Sequence, residues 1–431
     1  MSLYGAMFSG VSGLAAQSQA MGMIADNITN VNTVGFKKSL AKLSTQVTSQ
    51  ATGANYAPGG VMSRPYQNVD AQGLLQASAS PTDIALSGDG FYVVNDAAAG
   101  GAYAFTRAGS FAADANGNLR NAAGFYLQGV AVPPSGVVPA MPAVVSALAT
   151  VNIFNLTNSW QATTTGSAQI NLQATQAVGG AYAAGNLASG AVVPHFSSDL
   201  QIYDSQGAAR TITLGFYKTA VNTWAAEIYG DINGTPLTRE LIANGNIVFN
   251  PDGTLNTMPA ALTAISINWA GALGITTPQN IALNLGTLSQ ANGMSQSAGP
   301  YQLISSQVNG AVLGSLSGVS IGEDGIVSSL FTNGTSRPIY KLAVATFRNP
   351  DGLVSRSGNA WNQSDGSGNY TLKDAGTQGA GRVSSGALEA STVDLAQEFS
   401  NMIVTQRAYS ASGKIITTAD EMLDELIRLK R

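Results

Sequence analysis

The two ends of the chain follow one periodicity and the interior follows another, and that contrast limits the folds available. Met1 to Ala25 carries no charged residue, and Tyr4, Met7, Val11, Leu14, Ser18, Met21, Ala25 and Ile28 recur at heptad spacing. From about Ala387 to Arg431 the pattern returns with Leu395, Phe399, Met402, Tyr409, Ile416, Ala419, Leu423 and Leu426. Steps of three and four place such residues on one stripe of a helix. Two terminal stripes so far apart in sequence need a partner, either each other or further copies of the chain. The pattern therefore points to an assembly subunit. The roughly 350 residues between the ends read as β-structure.

Composition narrows the function classes. The 431 residues suit two to four domains. Only 10% are charged, against about 25% in a typical soluble domain, so much of the surface is expected to be covered. Net charge is −4 with no run of Lys or Arg, which disfavours nucleic acid and anionic membrane as partners. The absence of Cys excludes disulfides and thiolate sites. Residues 1–30 contain no Lys or Arg and are interrupted by Ser9, Ser12, Gln17, Ser18 and Gln19, so no Sec signal is expected. No apolar run reaches about 18 residues, so no helical membrane span is expected.

Along the chain, Gly5, Gly10, Gly13 and Gly22 each weaken the first helix by roughly 1 kcal/mol relative to Ala. They also let another helix approach closely. Asn and Thr side chains and Gly35 in Asn27-Ile28-Thr29-Asn30-Val31-Asn32-Thr33-Val34-Gly35-Phe36-Lys37 predict that the helix stops there. Residues 39–80 read as an extended, partly irregular connector. Short strands are predicted at Ile84–Leu86, Phe91–Val94, Tyr103–Arg107 and Phe125–Leu127. The Pro-rich stretch 132–142 reads as a linker. A second β-region over 145–295 includes Leu200–Asp204, Arg210–Tyr217 and Thr223–Tyr229, and short strands resume over 300–385. Asn-Gly at 116–117, 233–234, 244–245, 292–293, 309–310 and 333–334 predicts type I′ hairpins.

No chemical site emerges, and catalytic, cofactor and metal residues are all expected to be absent. The single His195 has no Gly-x-Ser-x-Gly elbow to accompany it. Asp114, Asn116 and Asn118 imitate the start of a calcium loop, but Leu119 and Phe125 stand where Gly and Glu are needed. Asp420, Glu421, Asp424 and Glu425, followed by Arg428, read as a solvated helix face.

Asn-Ile-Thr-Asn-x-x-Thr-x-Gly-Phe-Lys at 27–37 resembles the N-terminal signature of bacterial flagellar rod and hook proteins. Ser87–Tyr92, Thr106–Phe111 and Asp114–Leu119 are similar to their shared β-domain. Gly386–Leu395 and Met402–Tyr409 are similar to their C-terminal signature. Thr392 departs from the usual Asn; both can cap a helix. Rod members are shorter, and Ile202–Gly207 resembles the outer domain of hook members, so the hook branch is expected.

The resemblance implies a multidomain, mainly β chain with terminal α-helices. Residues 1–30 and 390–431 would pair as a coiled coil, and 31–80 with 380–389 would form a connector. An inner β-domain would be built from two segments, 81–144 and 296–379, and residues 145–295 would be an inserted outer β-domain. It further implies a homopolymeric, flexible tube that transmits torque and passes exported subunits. Its partners would be itself, the distal rod, the hook cap, the hook–filament junction proteins and the type III export apparatus. Polymer contacts are expected at Met7, Val11, Leu14, Met21, Ile28, Leu395, Phe399, Met402, Tyr409, Ile416, Leu423 and Leu426. Asn27, Asn30, Thr33, Gly35, Phe36 and Lys37 carry the signature. Alternatives at this point are a stiff distal-rod-like subunit, a secreted β-rich glycan hydrolase, which would need two carboxylates about 5–10 Å apart, or an adhesive outer domain.

Overall fold

A computed structural model describes residues 3–46, 59–133, 136–154, 156, 158–232, 239–269, 274–275, 277–377 and 379–429. They divide into two compact units: Met1–Leu156, Gly318–Leu330 and Ser336–Arg431 form the first, and Thr157–Ser317 with Phe331–Thr335 the second.

In the first unit the N-terminal helix spans Leu3–Thr29. It stops where the Asn/Thr cluster begins to bond its own backbone: Asn30 Nδ2 donates to Asp26 O at 2.9 Å and Thr33 Oγ1 to Asn30 Oδ1 at 3.1 Å. The expected irregular connector is instead a hairpin, in which Ser39–Gln46 pairs antiparallel with Gly60–Gln67. Apart from Gly60 its strand residues are half-buried or exposed, so they lack the one-sided apolar alternation that marks a half-buried strand.

The β-body of this unit interleaves early and late segments. Phe91–Asn95, wholly buried, pairs with Tyr103–Thr106, with Tyr126–Ala131 and with Ser336–Thr346. Alternate residues of that strand enter two cores. Tyr92 and Val94 meet Phe111, Leu127 and Val344, while Phe91 and Val93 meet Phe105, Leu353 and Trp361. The Pro-rich stretch is not an interdomain linker: the chain returns to pair Ala149–Thr150 with Gln128–Gly129 in this same unit.

The C-terminal helix is Leu395–Leu429, shorter at its start than the periodicity suggested. Gly386 takes φ +62 and Ala387–Glu389 is a strand paired with Leu75–Ala77. The helix begins where the Asp394 carboxylate accepts the Ala396 and Gln397 amides at 2.9 and 3.2 Å.

The second unit stacks its strands around a large core that includes Trp224, Phe216, Ile170 and Met294. Phe196–Tyr203, Ala209–Ala220, Thr223–Gly230, Glu240–Phe249 and Leu255–Thr257 form an antiparallel meander. Thr165–Gln173 centres a second sheet with Gln279–Asn284, Ser295–Ser297 and Gln302–Val308. Residues 296–308, expected in the inner domain, belong here because they pair along Thr165–Gln173.

The Asn-Gly expectation needs correction. Asn116 and Asn333 do not take positive φ, whereas Gly117 and Gly334 do, so these are three-residue turns with a left-handed Gly and a bulge, not type I′ turns. The same pair of backbone bonds closes the loops at Gly124, Gly207, Gly253 and Gly325. Asn244-Gly245 lies inside a strand opposite Glu227 and Ala226. Gly293 and Gly310 do not take positive φ, and 233–234 lies outside the described residues.

Candidate functional site

The terminal helices approach each other antiparallel through small residues. A Cβ on Gly10 would lie 2.9 Å from Ile416 Cγ1, and one on Gly13 2.9 Å from Ser412 Oγ. Ala16 and Ile24 are buried on the same helix, and Thr405 and Ala419 on the other. At the inner end of this seam, fully buried Asn27 donates from Nδ2 to Ser39 O at 2.8 Å and to Glu398 Oε2 at 3.1 Å. Its Oδ1 accepts the Ser39 amide at 2.9 Å. One amide side chain thus ties both helices to the hairpin.

The apolar heptad lies beside this seam. Met7, Leu14, Met21, Ile28, Met402, Ile416 and Leu423 are half-buried. Val11, Leu395, Phe399, Tyr409 and Leu426 are exposed, joined by Tyr4, Phe8, Ile403, Ile415 and Met422. Of the C-terminal stripe, Ile416 and Ala419 reach the seam. On the N-terminal helix the small residues of the seam carry no hydrophobic signal, so the apolar periodicity there marked the flanks.

Beyond the helix, the 27–37 segment docks onto the C-terminal segment that precedes the second helix. Gly35 N donates to Glu389 O at 2.7 Å, Thr392 N to Phe36 O at 3.1 Å, and Lys38 N to Thr392 Oγ1 at 3.0 Å. Thr392 therefore bonds across to the connector, and the helix cap falls to Asp394. Gly35 takes φ +67, and a Cβ there would lie 2.8 Å from Ala108 N, so conformation and space both require Gly. Buried Lys37 donates its ammonium to Glu389 and to Ala71 O. Burial lowers its pKa against the opposing pull of Glu389. Phe36 faces Asn30, Thr33, Val34 and Trp361 around a cleft of about 650 Å³. The polar groups there serve the fold: Asn359 Nδ2 donates to Val34 O at 2.7 Å and Trp361 Nε1 to Gln67 Oε1 at 3.1 Å.

Four family models match, segment by segment. Flagella basal body rod protein covers residues 7–37, and the flagellar hook protein FlgE/F/G D1 domain covers 85–170. The flagellar basal body protein FlaE D2 domain covers 194–311, and the flagellar basal body rod FlgEFG protein C-terminal model covers 384–429. The flagellar hook protein FlgE of Rhizobium meliloti is 35% identical over 436 residues, covering 100% of both chains. That of Salmonella typhimurium is 31% identical over 97% of this chain and 98% of its own.

The chain belongs to the flagellar hook protein family.

A crystal structure of the Helicobacter pylori flagellar hook protein FlgE2 resembles 72% of this chain and 98% of its own, at 14% identity and TM-score 0.46. In this hook-family chain His195 and Asp114 have structural partners. His195 Nδ1 accepts the Lys218 amide at 3.0 Å, and its ring stacks on Tyr217 with centroids 4.3 Å apart. Asp114 accepts the Asn116 and Asn118 amides at 2.8 and 2.9 Å within its own turn, and these bonds, with that from the Asn118 side chain, hold its carboxyl below the usual range. Sequence reasoning missed Glu389, Glu398 and Arg107. Glu389 and Arg107 sit inside the matched motifs, but nothing local reveals a partner hundreds of residues away.

Proposed function

We propose that this chain is the structural subunit of the flagellar hook and polymerises into a flexible helical tube. One observation carries the assembly mechanism: the helix pair leaves Phe8, Val11, Phe399 and Ile403 about half exposed on a chain of this family. Exposed apolar flanks of this kind mark association surfaces, and another copy of the chain supplies matching flanks. The twelve heptad residues, with Tyr4, Phe8, Ile403, Ile415 and Met422, are the proposed polymer contacts. Supercoiling of the two helices into a coiled coil would complete the core of the tube. The helices are about 40 and 52 Å long at 1.5 Å per residue, and head-to-tail contacts that do not close into a ring give a helical filament.

In this reading the inner β-body forms the tube wall, the second unit forms the outer layer, and the subunit has no catalytic role. The low charge of the chain suits contacts that slide, because separating buried ion pairs is expensive. The distal rod, hook cap, junction proteins and type III export apparatus are the proposed partners, at the flagellum. A rod-like subunit is not favoured, since full-length relatives bear the hook name.

Removing residues 1–25 tests the mechanism. The truncated chain should keep a folded second unit by circular dichroism and form no tubes in electron micrographs. Tubes from the truncated chain would refute assembly through the helices.

A further inference from the structure

Three chain segments meet in one buried charge cluster. Lys37 and Glu389 side chains are 0% exposed and Arg107 is 2%. Glu389 accepts the Lys37 ammonium, the Gly73 amide at 2.8 Å and Arg107 Nη1 at 3.4 Å. Two cations thus share one carboxylate. The Arg107 guanidinium lies 5.1 Å from the Phe91 ring centroid, while its Nε and the buried Tyr92 hydroxyl have no hydrogen-bond partner. A buried ion set that is unbalanced in charge and incompletely satisfied is a poor device for stability; its best-attested use is to fix one geometry over others.

Its location says which geometry. Lys37 follows the end of the N-terminal helix at Thr29, Glu389 precedes the start of the C-terminal helix at Leu395, and Arg107 follows the strand Tyr103–Thr106, buried from Ala104 onward. Backbone bonds from Gly35 to Glu389 and from Thr392 to Phe36 bracket the cluster. The roots of both helices are therefore joined to each other and to the sheet at a single carboxylate.

We propose that Glu389, held by Lys37 and Arg107, is a positioning site that sets the angle at which the helix pair leaves the inner β-body, and through it the curvature and helical parameters of the polymer. This inference rests on the hook-subunit reading above.

The charges rank the variants. Lys37→Met leaves a balanced Arg107–Glu389 pair, so the sheet should stay folded while the roots loosen. Glu389→Gln leaves two buried cations facing an amide and should be the more severe change. The experiment uses purified full-length wild type and both variants, with amide exchange by mass spectrometry and electron microscopy of polymers. In Lys37→Met the amides of Gly35 and Thr392 should exchange about tenfold or more faster than in wild type, with Phe91–Asn95 unchanged. Its polymers should differ from wild type in curvature or rise, or fail to form. Wild-type tube geometry from Lys37→Met would overturn the positioning role, as would loss of protection in Phe91–Asn95, which would mark plain core stability. Glu389→Gln must perturb assembly at least as much; wild-type tubes from it would equally overturn the proposal. Failure of the wild-type chain to polymerise would instead refute the hook-subunit reading.

Discussion

Trp224 in the second unit is completely buried and its indole N–H donates to Gln296 at 2.8 Å, while Phe8 and Phe399 on the terminal helices are about half exposed. The same contrast holds for polar groups. Glu227, buried in the second unit, is satisfied by the Tyr182 hydroxyl and the amides of Gly185 and Ala188 at 2.6 to 2.9 Å. At the helix roots, two cations share Glu389 and Arg107 Nε goes without a partner. The second unit buries Trp224 and pairs Glu227 internally, although its Asp231 Oδ1 is buried without a partner and Ile304 and Val312 are exposed. The helices carry a seam of small residues and leave Phe8, Val11, Phe399 and Ile403 about half exposed. Helices with so little covered area and several glycines draw their stability from packing rather than propensity.

The comparison can be broken at several points. Trp224→Ala should destabilise the second unit by about 3–5 kcal/mol, since it leaves a cavity and an unpaired Gln296 carbonyl. Calorimetry should show one transition lowered while amide exchange in Phe91–Asn95 stays unchanged; a common shift of both units would end the claim of separate stabilities.

The helix seam offers a paired test with opposite signs. Gly10→Leu forces side-chain volume against Ile416 and should cost about 1–3 kcal/mol by overpacking, seen as lost helical ellipticity. A Cβ added at Gly22 would meet nothing within 4 Å, so Gly22→Ala should instead gain up to about 1 kcal/mol. Equal effects from the two would mean that the small residues do not define the contact.

The smallest effect concerns acid. His195 must be neutral at Nδ1 to accept the Lys218 amide, and burial, with the Lys218 charge, lowers its pKa below the ordinary 6.5. A depressed folded-state pKa gives stability that is fully present above the unfolded value and lost as pH falls through the folded one. The melting temperature of the second unit should therefore decline as pH falls below about 6.5, and His195→Gln should remove that component. The same decline in the variant would assign it elsewhere.

Much of this was legible in the sequence, and the rest was hidden for physical reasons. Alternation in Leu200–Tyr203 marks a strand because Leu200 and Ile202 pack into the core while Gln201 stays exposed; Trp224–Gly230, by contrast, is buried throughout. The helix at Leu3–Thr29 was legible, and its glycines pointed to a close approach, but Gly10, Gly13 and Ala16 give no apolar signal to say which of them face the partner; Gly22 does not. The hairpin Ser39–Gln46 with Gly60–Gln67 was missed because neither face is well buried. Asn-Gly at 116–117 and 333–334 marked turns but not their type, which depends on whether Asn itself takes positive φ, and at 244–245 it lies within a strand. The 27–37 signature identified the junction by resemblance. The link from Lys37 to Glu389 spans 352 residues, and only the fold brings those charges together.

The central claim is that the exposed helix flanks are buried by further copies of the chain. Negative-stain electron microscopy of the purified intact chain tests it most directly. Curved tubes with a central lumen are the predicted result. Dispersed single particles under polymerising conditions would contradict it.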